Sequence, residues 1–310
     1  LIVIPARLSS TRLPDKPILK INEKTLINLM IDIALKVKDY AQLVVATDSN
    51  QIKNEVENLG IKVFMTSTAH KNGTERILEV IEKVNASFII NLQCDEPLLK
   101  PEDLQKIIVE TKKNEADVVS LCCKELTNKC NEPSKVKVVF DSNKYALYFS
   151  RNNIPYNSNT VYVHTGIYGF TRIALQKIKS LDTSKLEKSE SLEQLRWIEN
   201  GINIKMVVTD NKTIGVDTKN DFLEVQKKIN YQKIKGIITD VDGVLTKGEL
   251  FYGDNGEQLK VFNVKDGLAI KRFIKKGIKV GICSARSSSA LKLRINDLGI
   301  KYFEIGSKNK

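Results

Sequence analysis

Short apolar runs and amphipathic segments alternate through the first half of the chain, and that order restricts the fold more than any other feature. Residues 1–4, 42–47, 61–65 and 87–92 are apolar and rich in β-branched side chains, as buried strands are. Between them lie helical segments: 50–59, stopped by Gly60; one opening at 73–76 with Thr74 as its expected N-cap; and one opening at Pro101 and running to about 113. A βαβα order of this kind predicts a doubly wound, Rossmann-like α/β domain with a parallel sheet. Ligands of such sheets bind at the carboxyl ends of the strands.

The loop after the first run fits that location. Pro5, Pro14 and Pro17 exclude a helix and stiffen the backbone, while Arg7, Arg12 and Lys16 place three cations among Ser9, Ser10 and Thr11. A rigid basic loop at a strand end suits a polyphosphate. Two further pieces fall at strand ends: 70–76, where a glycine and a helix N-terminus follow a strand, and 91–97, which closes a buried strand with Asp95 and Glu96. Taken alone, Asp95–Glu96–Pro97 fits a surface turn as well as a site for Mg²⁺ whose shell substrate oxygens would complete. Residues 122–138 read as irregular, 135–140 and 145–151 as a hairpin, and 186–200 as one helix.

Composition excludes several classes. The formal charge is +12, yet the lysines are dispersed and aromatic residues make up only 6%, which argues against a nucleic-acid partner. No apolar run approaches the roughly 18–20 residues of a membrane span, and no signal peptide is evident. The five cysteines form no C-x-x-C pair, so reduced thiols in a cytoplasm are expected. No G-x-x-x-x-G-K-[ST] loop occurs, which leaves an ATPase without its main support. A strand start without Met suggests that at least one residue precedes Leu1.

Residues 5–17, Pro-Ala-Arg-Leu-Ser-Ser-Thr-Arg-Leu-Pro-Asp-Lys-Pro, resemble the opening signature P-A-R-x-x-S-T-R-L-P-x-K-P of the 3-deoxy-manno-octulosonate (KDO) cytidylyltransferases, the CMP-KDO synthetases. The likeness continues to about residue 229 through H-x-S-G-T-E-R at 70–76 (Asn72 for Ser), V-Q-G-D-E-P near 92–97 (Cys94 for Gly), Y-A-L-Y-F-S-R at 145–151, H-x-G-I-Y-G-Y at 164–170, L-E-Q-L-R at 192–196 and G-V-D-T-x-x-D at 215–221. The resemblance implies CTP and an acidic 2-keto sugar as substrates, Mg²⁺ as cofactor, a homodimer and a cytoplasmic enzyme. It implies that Ala6, Arg7, Arg12, Lys16, Gly73 and Gln93 contact the nucleotide, with Arg7 and Lys16 catalytic. Asp95 and Asp217 would hold the metal. Arg151, His164, Glu193 and Gln194 would meet the sugar. On their own residues, His164 fits a structural histidine and Glu193–Gln194 an ordinary polar helix face equally well. Asp221, paired with Thr218, reads as a helix cap.

A polar joint at 230–235 separates residues 1–230 from a second unit, 231–310. There Asp240-Val241-Asp242-Gly243-Val244 after an apolar strand resembles the first motif of haloacid-dehalogenase-like phosphatases, and 262–267 resembles F-x-V-x-D-G of KDO-8-phosphate phosphatases. The resemblance makes Asp240 the nucleophile, Asp242 the acid/base, both metal-associated, and Ser284 and Lys310 phosphoryl contacts. Ala285 stands for a usual glycine, so local backbone distortion is expected. The fourth motif, a Gly-Asp-Asp loop, would fall past 310; this chain as given is therefore expected not to hydrolyse phosphate monoesters efficiently, and either its gene continues past Lys310, completing a bifunctional protein, or the segment is a remnant. Other readings are a cytidylyltransferase for a sialic-acid relative or 8-amino-KDO, and a nucleotide-binding protein that has lost catalysis, since Cys94 and Ala285 both replace glycines.

Overall fold

The structure is a computed structural model and describes residues 1–9, 13–70, 72–254 and 256–307. The chain forms two compact units, Leu1–Gln226 and Lys227–Lys310, so the division falls inside a helix, Lys219–Lys233, a little before the polar joint.

In the first unit β1 (Ile2–Ala6) leads through the basic loop to a small ribbon, β2 (Lys20–Ile21) and β3 (Lys24–Thr25), and then α1 (Leu26–Leu35). There follow β4 (Leu43–Thr47), α2 (Asn50–Glu57), β5 (Lys62–Met65), α3 (Gly73–Lys83), β6 (Phe88–Leu92), α4 (Pro101–Lys112) and β7 (Val118–Leu126). Next come β8 (Lys137–Phe140), β9 (Ala146–Ser150), β10 (Thr160–Thr171), α5 (Arg172–Lys179), α6 (Lys185–Glu190), α7 (Glu193–Glu199), β11 (Ile204–Thr209) and α8 (Lys219–Lys233). The main sheet has the order β11-β7-β10-β6-β1-β4-β5, and the β8–β9 hairpin joins through β10.

Three expectations need correction. The sheet is mixed, because β10 runs antiparallel to both β6 and β7, with a bulge between Thr165 and Tyr168. The stretch read as irregular from 122 begins inside β7, whose residues 118–123 are all buried and so carry no polar alternation to reveal a strand. The helix expected over 186–200 is two helices, broken at Ser191 in the left-handed conformation (φ 54°).

The core explains the helix placement. In α3 the residues Ile77, Leu78, Val80 and Ile81 are buried against Val3, Val44, Ala46 and Ile89 of the sheet, while Glu75, Glu79, Glu82 and Lys83 form the other face. Each such side chain stabilises the fold by about 1.5–3 kcal/mol through burial. Trp197 of α7 sits edge-on to Tyr168 and Phe170 of β10, which fixes α7 over the antiparallel strand. Among the described residues no helix is long and apolar enough to cross a membrane.

The second unit contains β12 (Gly236–Thr239), the ribbon β13 (Phe251–Gly253) with β14 (Gly256–Leu259), α9 (Val264–Lys275), β15 (Lys279–Ser284), α10 (Ser289–Leu298) and β16 (Tyr302–Ile305). Strands β12, β15 and β16 make a parallel sheet, and Ile270, Val280, Ile282, Leu291, Ile295 and Leu298 lie in its core.

Gly169 is where β10 passes α4. A Cβ there would stand 1.9 Å from Oγ1 of Thr111, which donates to the Ile107 carbonyl of its own helix. Gly169→Ala is expected to destabilise the first unit by roughly 1–3 kcal/mol through overpacking. A lower urea midpoint at unchanged slope checks this, and Thr111→Ala in the same chain should recover part of the loss.

Candidate active site

The site is assembled from loops at the carboxyl ends of β1 and β6 and the loop between β11 and α8. After β1 the basic loop is closed by the Asp15 amide, which donates to the Leu8 carbonyl at 3.2 Å. Asp15 itself is held in the left-handed region (φ 55°), and a single 3₁₀ turn, Lys16–Ile18, follows around buried Pro17. The Lys16 ammonium is thereby delivered to two carboxylates, donating to Asp95 Oδ2 at 3.0 Å and Asp217 Oδ1 at 3.2 Å. These partners lie 79 and 201 positions away in the chain. Burial acts to lower the pKa of Lys16, but the two carboxylates outweigh it and hold the ammonium above its ordinary range.

Backbone bonds pin the acids. The Val216 amide donates to the Asp95 carbonyl at 2.8 Å, joining the two loops directly. The Thr218 amide donates to Asp221 Oδ2 at 2.7 Å and the Asp221 amide to Thr218 Oγ1 at 3.2 Å, the reciprocal cap expected at the start of α8. Glu96, next to Asp95, faces inward and accepts from the Gly166 amide at 3.3 Å. Desolvation first, and then the Asp95 charge, push its carboxyl up to about 8. Cys94 is buried and outside the left-handed region, so its φ does not demand the glycine it replaces, and the same holds for the φ of Ala285.

On the nucleotide side, Gly73 opens α3 against β1: a Cβ there would approach Cγ of Pro5 to 3.1 Å. The N-cap is Asn72, whose Oδ1 accepts from the Glu75 amide at 2.8 Å, and not Thr74. Thr74 instead donates to Glu193 Oε2 at 2.9 Å, a contact no sequence signal indicated. Gln93 packs over Gly166, where a Cβ would come within 3.2 Å of its Oε1. Ala6 is buried at the end of β1, and Arg7 is exposed just after it. Arg12 lies outside the described residues.

The sugar-side candidates divide. Burial raises the Glu193 carboxyl, and Gln194 donates its amide to the Tyr168 hydroxyl while its Oε1 is buried with no partner among the described residues. His164 lies between Phe149 and Tyr168 and shares a 2.9 Å hydrogen bond with Ser120 Oγ, which donates to the Ile167 carbonyl. Desolvation pushes its pKa down to about 3, so it is neutral. Ser120 escaped notice because it sits on the unread strand β7. Arg151 does not point a free fork at the site: its guanidinium donates to the carbonyls of Glu190 and Pro133 at 2.7 and 2.9 Å and to that of Ser191 at 3.4 Å. Those bonds tie the hairpin to the helix break and leave at most two of its five N–H donors for a ligand.

In the second unit Asp240 follows β12 and Ser284 ends the neighbouring parallel strand β15. Asp242 pairs with Lys260, whose side chain is 1% exposed. Lys310 lies outside the described residues. No group of three or more Asp, Glu, His or Cys among the described residues forms a ready metal cage. Asp95 and Asp217 are instead two carboxylates on an open site, the donor set that suits a hard cation sharing its shell with substrate phosphates.

The doubly wound fold with this strand-end site is that of a nucleotidyltransferase, as its relatives show. The family model described as Cytidylyltransferase matches residues 1–207, and the chain belongs to that family. It is 40% identical over 248 residues to the 3-deoxy-manno-octulosonate cytidylyltransferase of Thermodesulfovibrio yellowstonii, covering 74% of this chain and 97% of that one. It is 44% identical over 242 residues to the enzyme of the same name from Fusobacterium nucleatum (76% and 97%). A solved CMP:2-keto-3-deoxy-manno-octonic acid synthetase complexed with CTP superposes with TM-score 0.71 at 39% identity, over 75% of this chain and 98% of that one. The 8-amino-3,8-dideoxy-manno-octulosonate cytidylyltransferase of Shewanella baltica is 38% identical over 239 residues (74% and 97%).

His164 gives a pH test. Its native pKa lies below its ordinary 6.5, so the unfolded chain binds that proton more readily and stability falls as pH drops from about 6.5 towards 3. The loss is at most about 1.4 kcal/mol per pH unit. His164→Gln should show a shallower decline in urea midpoint between pH 7 and 5 than the parent; identical slopes would contradict the assignment of a neutral, desolvated ring.

Proposed function

We propose that the first unit transfers CMP from CTP to the anomeric hydroxyl of 3-deoxy-manno-octulosonate, giving CMP-KDO and pyrophosphate for lipopolysaccharide synthesis. The observation that carries the reading is Lys16 seated between Asp95 and Asp217 at the strand ends. Lys16 and Arg7 bind and orient the triphosphate, with Arg12 on the same loop. Gly73 and Gln93 line the nucleotide side. Glu193 accepts from sugar hydroxyls while Thr74 holds it, Gln194 offers its unfilled Oε1, and neutral His164 closes the apolar wall. The sugar oxygen forms a bond to the α-phosphorus and releases its proton as the bond to the β-phosphate oxygen breaks. Positioning and charge stabilisation carry such a transfer, with no covalent intermediate on the protein. Mg²⁺ held by Asp95 and Asp217 would neutralise the charge on the departing pyrophosphate.

The relative that acts on 8-amino-3,8-dideoxy-manno-octulosonate is nearly as similar as those that act on the parent sugar, so the 8-amino sugar is the second reading. Pyrophosphate release with CTP, Mg²⁺ and a panel of KDO, its 8-amino relative and a sialic acid tests both. The largest kcat/KM is expected for KDO; no release with any member would overturn the reading. Asp95→Asn and Asp217→Asn should each lower kcat by about a hundredfold or more with unchanged circular dichroism.

We also infer a homodimer, supported by Leu147 and Tyr156 standing 59% and 99% exposed on and after the hairpin. The five free cysteines fit a cytoplasmic location. For the second unit we infer a haloacid-dehalogenase-like phosphatase segment, supported by Asp240 and Ser284 at the ends of adjacent parallel strands. Phosphate release from KDO-8-phosphate by the parent chain and by Asp240→Asn tests that assignment: metal-dependent release abolished in the variant would support Asp240 as the nucleophile.

A further inference from the structure

We propose that Lys16 is an internal stand-in cation: without nucleotide its ammonium holds Asp95 and Asp217 together in the place of the divalent metal, so that metal binds well only along with the triphosphate. This rests on the reading of that pair as the metal site.

The two acids come from separate loops whose backbones the Val216 amide joins through the Asp95 carbonyl, so their side chains start from neighbouring main chain and repel each other when both are charged. A cation between them relieves that repulsion. Lys16 provides one, at 3.0 and 3.2 Å, with its side chain only 16% exposed and the acids 23% and 28% exposed. Its backbone is anchored by buried Pro17, by the left-handed Asp15 and by the Asp15–Leu8 hydrogen bond. Movement is therefore confined to the four-carbon stem, which suits a lysine and would not suit the rigid fork of an arginine. A divalent cation arriving alone must expel the ammonium into water. A triphosphate arriving with it offers the ammonium a new anionic partner on the loop that already carries Arg7, and vacates the carboxylates at the same time. Metal and nucleotide then strengthen each other's binding by the same factor, since such coupling is reciprocal.

Equilibrium dialysis of the full chain against Mn²⁺, with protein-bound metal read by electron paramagnetic resonance, tests this with and without CTP on both sides of the membrane. The parent should bind Mn²⁺ weakly alone and about tenfold or more tightly with CTP. Lys16→Met should bind Mn²⁺ about tenfold more tightly than the parent without nucleotide, and CTP should add less. Its thermal midpoint should fall in chelator and rise with Mn²⁺ by more than the parent's does, a readout that also verifies folding. Lys16→Met with unchanged or weaker nucleotide-free affinity would overturn the stand-in role. In that case, loss of CTP-supported Mn²⁺ binding in Asp217→Asn would leave the metal-site reading standing. Persistence of that binding in both Asp95→Asn and Asp217→Asn would overturn the metal site and the stand-in together.

Discussion

Two carboxylates fixed side by side repel each other unless a cation joins them, and the first unit is organised around that requirement. Asp95 lies on the loop after β6, near the middle of the sheet, Asp217 precedes the unit's last helix, and Lys16 rides on the first loop. The contacts between them span 79 and 201 positions, so they form only when the sheet order is complete. Left-handed Asp15, the Val216–Asp95 backbone bond and the Thr218–Asp221 cap all act to bring the two distant carboxylates to 3.0 and 3.2 Å from Lys16. The prolines of the basic loop belong to the same arrangement, since a flexible loop would spend the ion-pair energy on ordering itself.

Much of this was legible in order along the chain. β1, β4, β5 and β6 are short β-branched runs between capped helices, and local patterning suffices to read them. Lys16, Asp95 and Asp217 were legible as motifs, and the sheet brings all three together. Other features depend on tertiary context. The first six residues of β7 are buried on both faces, which removes the alternation that marks a strand, and β10 runs against its neighbours for reasons that no local pattern records. Thr74 looks like the cap of α3, but Asn72 reaches the free amide first and Thr74 turns to Glu193. Arg151 looks like a carboxylate clamp, and the hairpin uses most of its donors on carbonyls.

The second unit repeats the electrostatic theme on a smaller sheet. One acid of its Asp-x-Asp pair, Asp242, is matched by a nearly buried lysine, Lys260, eighteen positions on. In both units a lysine from a neighbouring loop neutralises a strand-end carboxylate. The surroundings differ: Lys16 reaches two acids in a partly open site, whereas Lys260 is sealed. The first arrangement leaves room for exchange with solvent and ligand; the second favours permanence.

The reversed direction of β10 governs how the site can change. Because it runs against β6, this strand sets Gly166 beside Glu96 and Gln93 and Tyr168 beside Gln194, and Tyr168 is also a core residue that packs on His164. On the proposed phosphate side the candidate residues sit on loops, where Arg7 is exposed although Pro17 and Glu96 are buried. The opposite wall is the core. Redesign for a different acceptor therefore meets unequal resistance: substitution of an exposed loop residue such as Arg7 registers mainly in turnover, while substitutions at the buried positions of β10 register first as lost protein. A library that couples changes at these positions with compensating changes at Ser120, Phe149 and Trp197 samples new acceptors without forfeiting the fold.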